Sequence, residues 1–171
     1  MMETVRAVDP LIPELEQEAQ TTRVFLEAVP GDKLEWRPHP KSMTLGQLAL
    51  HVASVCDVAS GFTEIDGIDL DAVDFTPAHA ESKDAILKTF EQSLEAARTR
   101  LAKLDNETAL QSWKATRGGE TVFSVPKIGL IRGLLLNHLY HHRGQMSVYL
   151  RLLDVPVPVA YGRTADMNPL G

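Results

Sequence analysis

Residues 137–145 read Asn137-His138-Leu139-Tyr140-His141-His142-Arg143-Gly144-Gln145, and three of the chain's six histidines fall within them. On a helix, residues four apart project from the same side, so His138 and His142 point together. The helical phase that passes through them runs Ile131, Leu135, His138, His142, Met146, Tyr149 and Leu153, an apolar stripe of the kind that faces a core. Two imidazoles at that spacing can hold one metal ion. His141 lies ~100° round the wheel from His142 and is the poorer partner, with a His138/His141 pair as the alternative.

Working outward, the ten prolines divide the chain, because a proline inside a helix costs ~3 kcal/mol. The first proline-poor block carries Leu11, Leu15, Ala19, Thr22, Phe25 or Leu26, and Val29 at helical spacing. Asp9-Pro10 offers it a cap and a first-turn proline, and Pro30-Gly31 a stop. The second opens on Thr44-x-x-Gln47, a capping box, and continues Leu48, Val52, Val55, Ala59 and Phe62. The third runs from Ser82 as cap through Leu87, Phe90, Leu94, Ala97, Leu101 and Leu104. The fourth follows Pro126 and contains the histidine cluster. Four such helices predict an all-α, four-helix bundle. The stretch from Trp113 to Val125, around Gly118-Gly119, has the pattern of a small hairpin.

A chain of 171 residues suits one domain, residues 1–171, and buries roughly 70% of its unfolded surface without needing a disulfide. Its formal net charge of −6 argues against nucleic acid or an anionic membrane as the main partner. Residues 1–36 hold eight acidic and three basic side chains, whereas residues 121–153 hold Lys127, Arg132, Arg143 and Arg151 and no acid. The first and last helices are therefore expected to be neighbours with complementary faces. A lone Cys56 favours a reducing compartment, and read mid-helix it is a small core residue. No apolar leader segment opens the chain, and Ile128–Leu136, read as the most apolar run, is too short to span a membrane. A cytoplasmic protein is expected.

A metal held by His138 and His142 needs a ligand from another element. His51 falls three residues after Leu48 and four before Val55, so it also looks inward. Burying three unpartnered histidines would cost roughly 1–3 kcal/mol for each unsatisfied polar group, which makes idle packing a poor explanation for all three. Gln145 follows His142 by three residues and is placed to bond a ligand or a neighbouring histidine. Arg143 is a candidate to hold a carboxylate, with a surface salt bridge as its ordinary use. Asn137 and Tyr140 are weaker candidates to support the histidine rings. Gly129, Gly133 and Gly144 each cost a helix ~0.5–1 kcal/mol, and close approach of another helix is the expected reason.

Three segments together resemble the DinB/YfiT-like family: Leu45-Gly46-Gln47-Leu48-Ala49-Leu50-His51-Val52-Ala53, then Asn137-His138-x-x-x-His142-Arg143-Gly144-Gln145, then Val155-Pro156-Val157-Pro158-Val159-Ala160-Tyr161-Gly162. Trp36-Arg37-Pro38 fits the same pattern. The resemblance implies a four-helix bundle with up-up-down-down connectivity, often a homodimer. It also implies a divalent cation, nickel or zinc, on His51, His138 and His142. The family name refers to induction under DNA-damage stress and implies no DNA binding. The tail departs from the family's Tyr-Gly-Pro-Ser-Ala-Asp-Glu, with Arg163 for the proline and Met167 for the glutamate. After Leu153, where a glycine is expected, stands Asp154, a residue that tolerates the left-handed region.

Three neutral imidazoles leave a dication charged and open to further ligands. Characterised relatives use low-molecular-weight thiols, so the resemblance points first to thiol-dependent S-transfer or isomerisation of a small-molecule substrate. Metal-dependent hydrolysis is the alternative chemistry, and a non-catalytic, metal-stabilised stress-response binding protein is the alternative class. The lack of an acidic residue near His51 or in the fourth helix favours a thiol, which a metal deprotonates unaided, over water needing a base.

Overall fold

The computed structural model describes residues 5–168, and most of them are helical. Helix α1 (Leu11–Glu27) starts with no side-chain cap. Asp9 does not fill that role, because its carboxylate accepts from the Arg6 amide at 2.7 Å. Helix α2 (Leu45–Gly61) opens on the expected capping box. There Thr44 Oγ1 accepts from the Gln47 amide at 3.1 Å, and Gln47 Oε1 from the Thr44 amide at 2.9 Å. Helix α3 (Lys83–Lys103) is capped by Ser82 Oγ, 3.0 Å from the Ala85 amide.

The chain is not purely helical. Strand β1 (Gly67–Asp69), the short helix α4 (Asn106–Leu110), β2 (Ser112–Arg117) and β3 (Glu120–Pro126) intervene. The strands form one sheet of order β1-β2-β3, with β1 parallel and β3 antiparallel to β2. The β2–β3 hairpin is the one anticipated around Gly118-Gly119, whose φ angles of 57° and 82° are open to glycine at no steric cost. Strand β1 leaves no alternating pattern in three residues. It pairs so closely that a Cβ on Gly67 would lie 2.2 Å from the Lys114 carbonyl oxygen.

The fourth helical block also differs from expectation. It comprises α5 (Lys127–Leu130), a π-helical stretch at Ile131–Asn137 and α6 (His138–Leu152). Asp154 follows with φ 56°, in the left-handed conformation foreseen for it.

Residue pairs give the directions of the long helices. Lys83 at the start of α3 bonds the Glu27 carbonyl at the end of α1, while Arg6 reaches Leu101 and Ala102, so α1 and α3 are antiparallel. Gly46 lies against Ala80, and Arg100 bonds Asp57 and Glu64, so α2 and α3 are parallel. Tyr149 bonds the Met43 carbonyl while His51 meets His138, so α2 and α6 are antiparallel. The order is up-down-down-up, which corrects the up-up-down-down expectation. Parallel α2 and α3 require the chain to return the length of a helix, and the exposed crossover at 65–82 does so.

Leu48, Val52, Phe90, Leu94, Leu135, Leu139 and Met146 meet in the main core. Helix α2 with the turn after it, Leu45–Glu64, and not Ile128–Leu136, is the run long and apolar enough by composition to cross a membrane among the described residues. Its most apolar window is 56% buried, as suits the central helix of a core. Trp113, at the start of the anticipated hairpin, is a buried strand residue. Trp36 packs edge-on against Tyr149 at 5.7 Å.

The complementary charge of the first and last helices is realised in contacts. Arg132 pairs with Glu14 at 2.6 Å and Arg143 with Glu18 at 2.5 Å. Arg151 pairs with Asp166 and Lys127 with Asp66, so all four cations of residues 121–153 are engaged within the chain. Arg143 is no surface residue. Its side chain is 2% exposed and that of Glu18 7%. Breaking a buried pair strands a charge at about 3–5 kcal/mol, while an exposed pair contributes under about 1 kcal/mol. Arg143→Ala is therefore expected to lower the urea midpoint steeply and Arg132→Ala only slightly; equal shifts would contradict this division.

Candidate metal centre

His51 is carried by the first half of α2, two turns after the capping box that sets where the helix begins. His138 and His142 stand one turn apart at the start of α6, which crosses α2 in the opposite direction. The three rings meet by their Nε2 atoms. His51 lies 2.9 Å from His138 and 3.1 Å from His142, and His138 lies 2.7 Å from His142. His142 is buried, while His51 and His138 are half-buried, so one side of the cluster faces outward.

Gln145 Oε1 stands 2.7 Å from Nδ1 of His142. With that oxygen accepting, the ring proton of His142 sits on Nδ1 and its Nε2 keeps a bare lone pair. A neutral imidazole has one N–H. Three neutral rings therefore cannot satisfy three mutual Nε2 contacts, because at least one pair meets with two lone pairs or two protons. A cation accepting all three lone pairs removes the conflict. The spacing agrees, since ligands ~2.1 Å from an ion at right angles lie ~3.0 Å apart, against ~3.4 Å for tetrahedral angles. The cluster can thus hold a metal ion.

Burial also prepares the rings. It lowers the pKa of His51, with the nearby His142 adding to the effect. It lowers that of His138 to about 4, with His142, His51 and His141 contributing. His142 is lowered by burial too, against the opposing bond from Gln145. All three are neutral at pH 7, the protonation state that binds metals.

The other candidates separate. Gln145 is exposed and touches His142, as its spacing suggested. Arg143 points the other way, to Glu18, the Thr22 hydroxyl and the Tyr161 hydroxyl. The carboxylate it holds belongs to its own chain, not to a substrate. Tyr140 donates to Glu14 at 2.5 Å, and Asn137 is exposed, so neither supports the histidines. His141 is exposed, its ring edge-on to His142 at 4.8 Å. Burial pushes the Cys56 thiol up to about 12, as fits an inert core residue. His39 and His79 are exposed. Gly133 and Gly144 have nothing within 4 Å of a built Cβ, so close packing of another helix in this chain does not explain them. Glu18 and Tyr161, which hold Arg143, were overlooked. The signal for Glu18 was an acid on the inward stripe of α1, between Leu15 and Thr22.

The sequence profile of the DinB superfamily matches residues 14–146. A DinB-like protein from Bacillus cereus ATCC 10987 has a similar structure, with a TM-score of 0.67 and 21% identity over 88% of this chain and 95% of that one. A DinB-like protein from Bacillus subtilis gives 0.67 and 15% identity, over 88% and 96%. At such identities these two likenesses concern the fold. No curated protein matches the chain in sequence.

The lowered pKa values carry a sign. In the unfolded chain these histidines titrate near 6.5, whereas in the fold they take up protons only at lower pH. Below pH ~6.5 the unfolded state thus binds more protons, and stability falls as pH drops toward 4. In chelator-treated protein the urea midpoint is expected to fall less between pH 7 and pH 4.5 for His138→Gln than for the parent. Parallel pH profiles would contradict neutral burial of His138.

Proposed function

Because the chain belongs to the DinB superfamily, we propose that His51, His138 and His142 ligate one divalent cation, zinc or nickel, at the working centre of a small-molecule enzyme. The observation that supports this most directly is the mutual approach of three Nε2 atoms within 2.7–3.1 Å, a contact set that neutral rings cannot satisfy among themselves. The long helices α1, α2, α3 and α6 are read as one bundle and the chain as one domain, with the centre between α2 and α6. Imidazole ligands suit zinc and nickel alike. A cytoplasmic homodimer belongs to the same proposal, and a monomeric mass in dilute solution would remove the dimer from it.

A dication on three neutral ligands supplies Lewis-acid chemistry that favours the deprotonated form of a thiol or of water. The chain's own groups do the rest. Gln145 fixes the tautomer and rotation of His142, and burial keeps all three rings unprotonated. Glu14 and Glu18, which α1 brings to this helix, are engaged by Arg132, Tyr140, Arg143 and Tyr161 away from the histidines, and Asp166 by Arg151. That arrangement leaves no carboxylate bonded to the histidines among the described residues, which favours a thiol cosubstrate over hydrolysis. The reaction class is thiol-dependent transfer or isomerisation.

His138→Ala is expected to lose stoichiometric metal, measured by elemental analysis of untagged protein; unchanged stoichiometry would refute the ligand set. Gln145→Ala should weaken metal affinity roughly 10–100-fold, with Gln145→Glu recovering much of it. Metal-loaded protein should turn over a thiol with an electrophile in preference to esters and amides. If the metal raises only the melting temperature and none of these substrates reacts, a non-catalytic binding protein is the better description.

A further inference from the structure

The turn leading into the metal-binding helix is wider than an α-helix. Residues Ile131–Asn137 are π-helical, and the amide of His138 itself donates to the Gly133 carbonyl, five residues back. Such turns are rare and take up about one extra residue. An α-helix advances ~100° per residue, so one extra residue rotates everything after it by about that angle. The two ends of this helix need that rotation. Upstream, Lys127 and Leu130 are buried; downstream, Leu139, His142 and Met146 are. In an unbroken α-helix the two groups would on average face directions about 100–120° apart. The π turn closes the difference.

Each end is anchored to a different partner. Lys127, 4% exposed, sends its ammonium to Asp66 at 2.8 Å and to the Gln111 side chain at 3.3 Å, and its amide bonds the Gln111 carbonyl. Leu130 and Leu134 pack against the buried Trp113 of the hairpin. These contacts set the rotation upstream. Downstream it is set by His51 on one side of α6 and Glu18 on the other.

We propose that the π turn at Ile131–Asn137, held in register by Trp113 and Lys127, rotates His138 and His142 onto His51, so that the hairpin positions the metal centre from a distance. Trp113 and Lys127 are thus positioning residues, and the inference rests on the metal reading above.

The test compares the parent with a variant lacking Gly133, by cobalt(II) titration and, in chelator-treated protein, by NMR contacts among the three histidine rings. Removing Gly133 takes out the extra residue, so an unbroken α-helix should keep the ring contacts and a cobalt affinity close to the parent's. Loss of the ring contacts with at least tenfold weaker cobalt binding in folded protein would overturn the proposal. If that variant does not fold, Lys127→Met and Trp113→Leu decide instead. Loss of ring contacts with at least tenfold weaker cobalt binding in folded protein supports the proposal, and parent-like behaviour in both overturns it. The metal-free measurement keeps the two readings apart. A parent whose rings touch but which binds no cobalt refutes the metal centre, while the ring contacts still answer the question of register.

Discussion

Three uncharged rings brought nitrogen to nitrogen impose the main constraint on this molecule. Their Nε2 atoms come from two antiparallel helices and approach to 2.7–3.1 Å. Contacts of that kind tolerate little error in helix rotation, since a helical residue's direction swings ~100° with each step of register. Much of the surrounding structure can be understood as holding that rotation. The capping box at Thr44 and Gln47 fixes where α2 starts. On the far side of α6, the buried Glu18–Arg143 pair, joined by Tyr161 from the tail, ties the same helix to α1.

The distribution of charge serves this arrangement more than it serves any partner. Helix α1 meets α6 through Glu14, Glu18, Arg132 and Arg143, and the tail returns through Asp166 to Arg151. The acids are drawn to one side of α6 and the histidines stand on the other. Carboxylates near the rings would have raised their pKa values, whereas burial among apolar side chains lowers them. The cluster is thereby kept as a set of neutral donors.

The sheet and the crossover account for the connections that the helical pattern left open. Two parallel helices cannot be joined by a tight turn, and the exposed segment at 65–82 supplies the return path. The hairpin closes the end where α3 finishes and α5 begins, with Trp113 beneath it. The grip of Asp66 and Gln111 on Lys127, beside the hairpin, gives α5 a rotational phase of its own, which the π turn reconciles with that of α6.

Local patterns determined a good part of this from the sequence alone. Helix periodicity, the caps at Thr44 and Ser82, the glycine turn of the hairpin and the inward phase of His51, His138 and His142 depend on residues only a few positions apart, so they survive in a linear reading. The left-handed Asp154 is of the same kind. Tertiary structure decided what depends on distant partners. The burial of Arg143 required Glu18 from α1, and the pairing of β1 required Lys114 from β2. The helix directions required a crossover whose path has no periodicity to read. The π turn left no mark because it reconciles two anchors, each set by a different part of the chain, and no single window of sequence contains both.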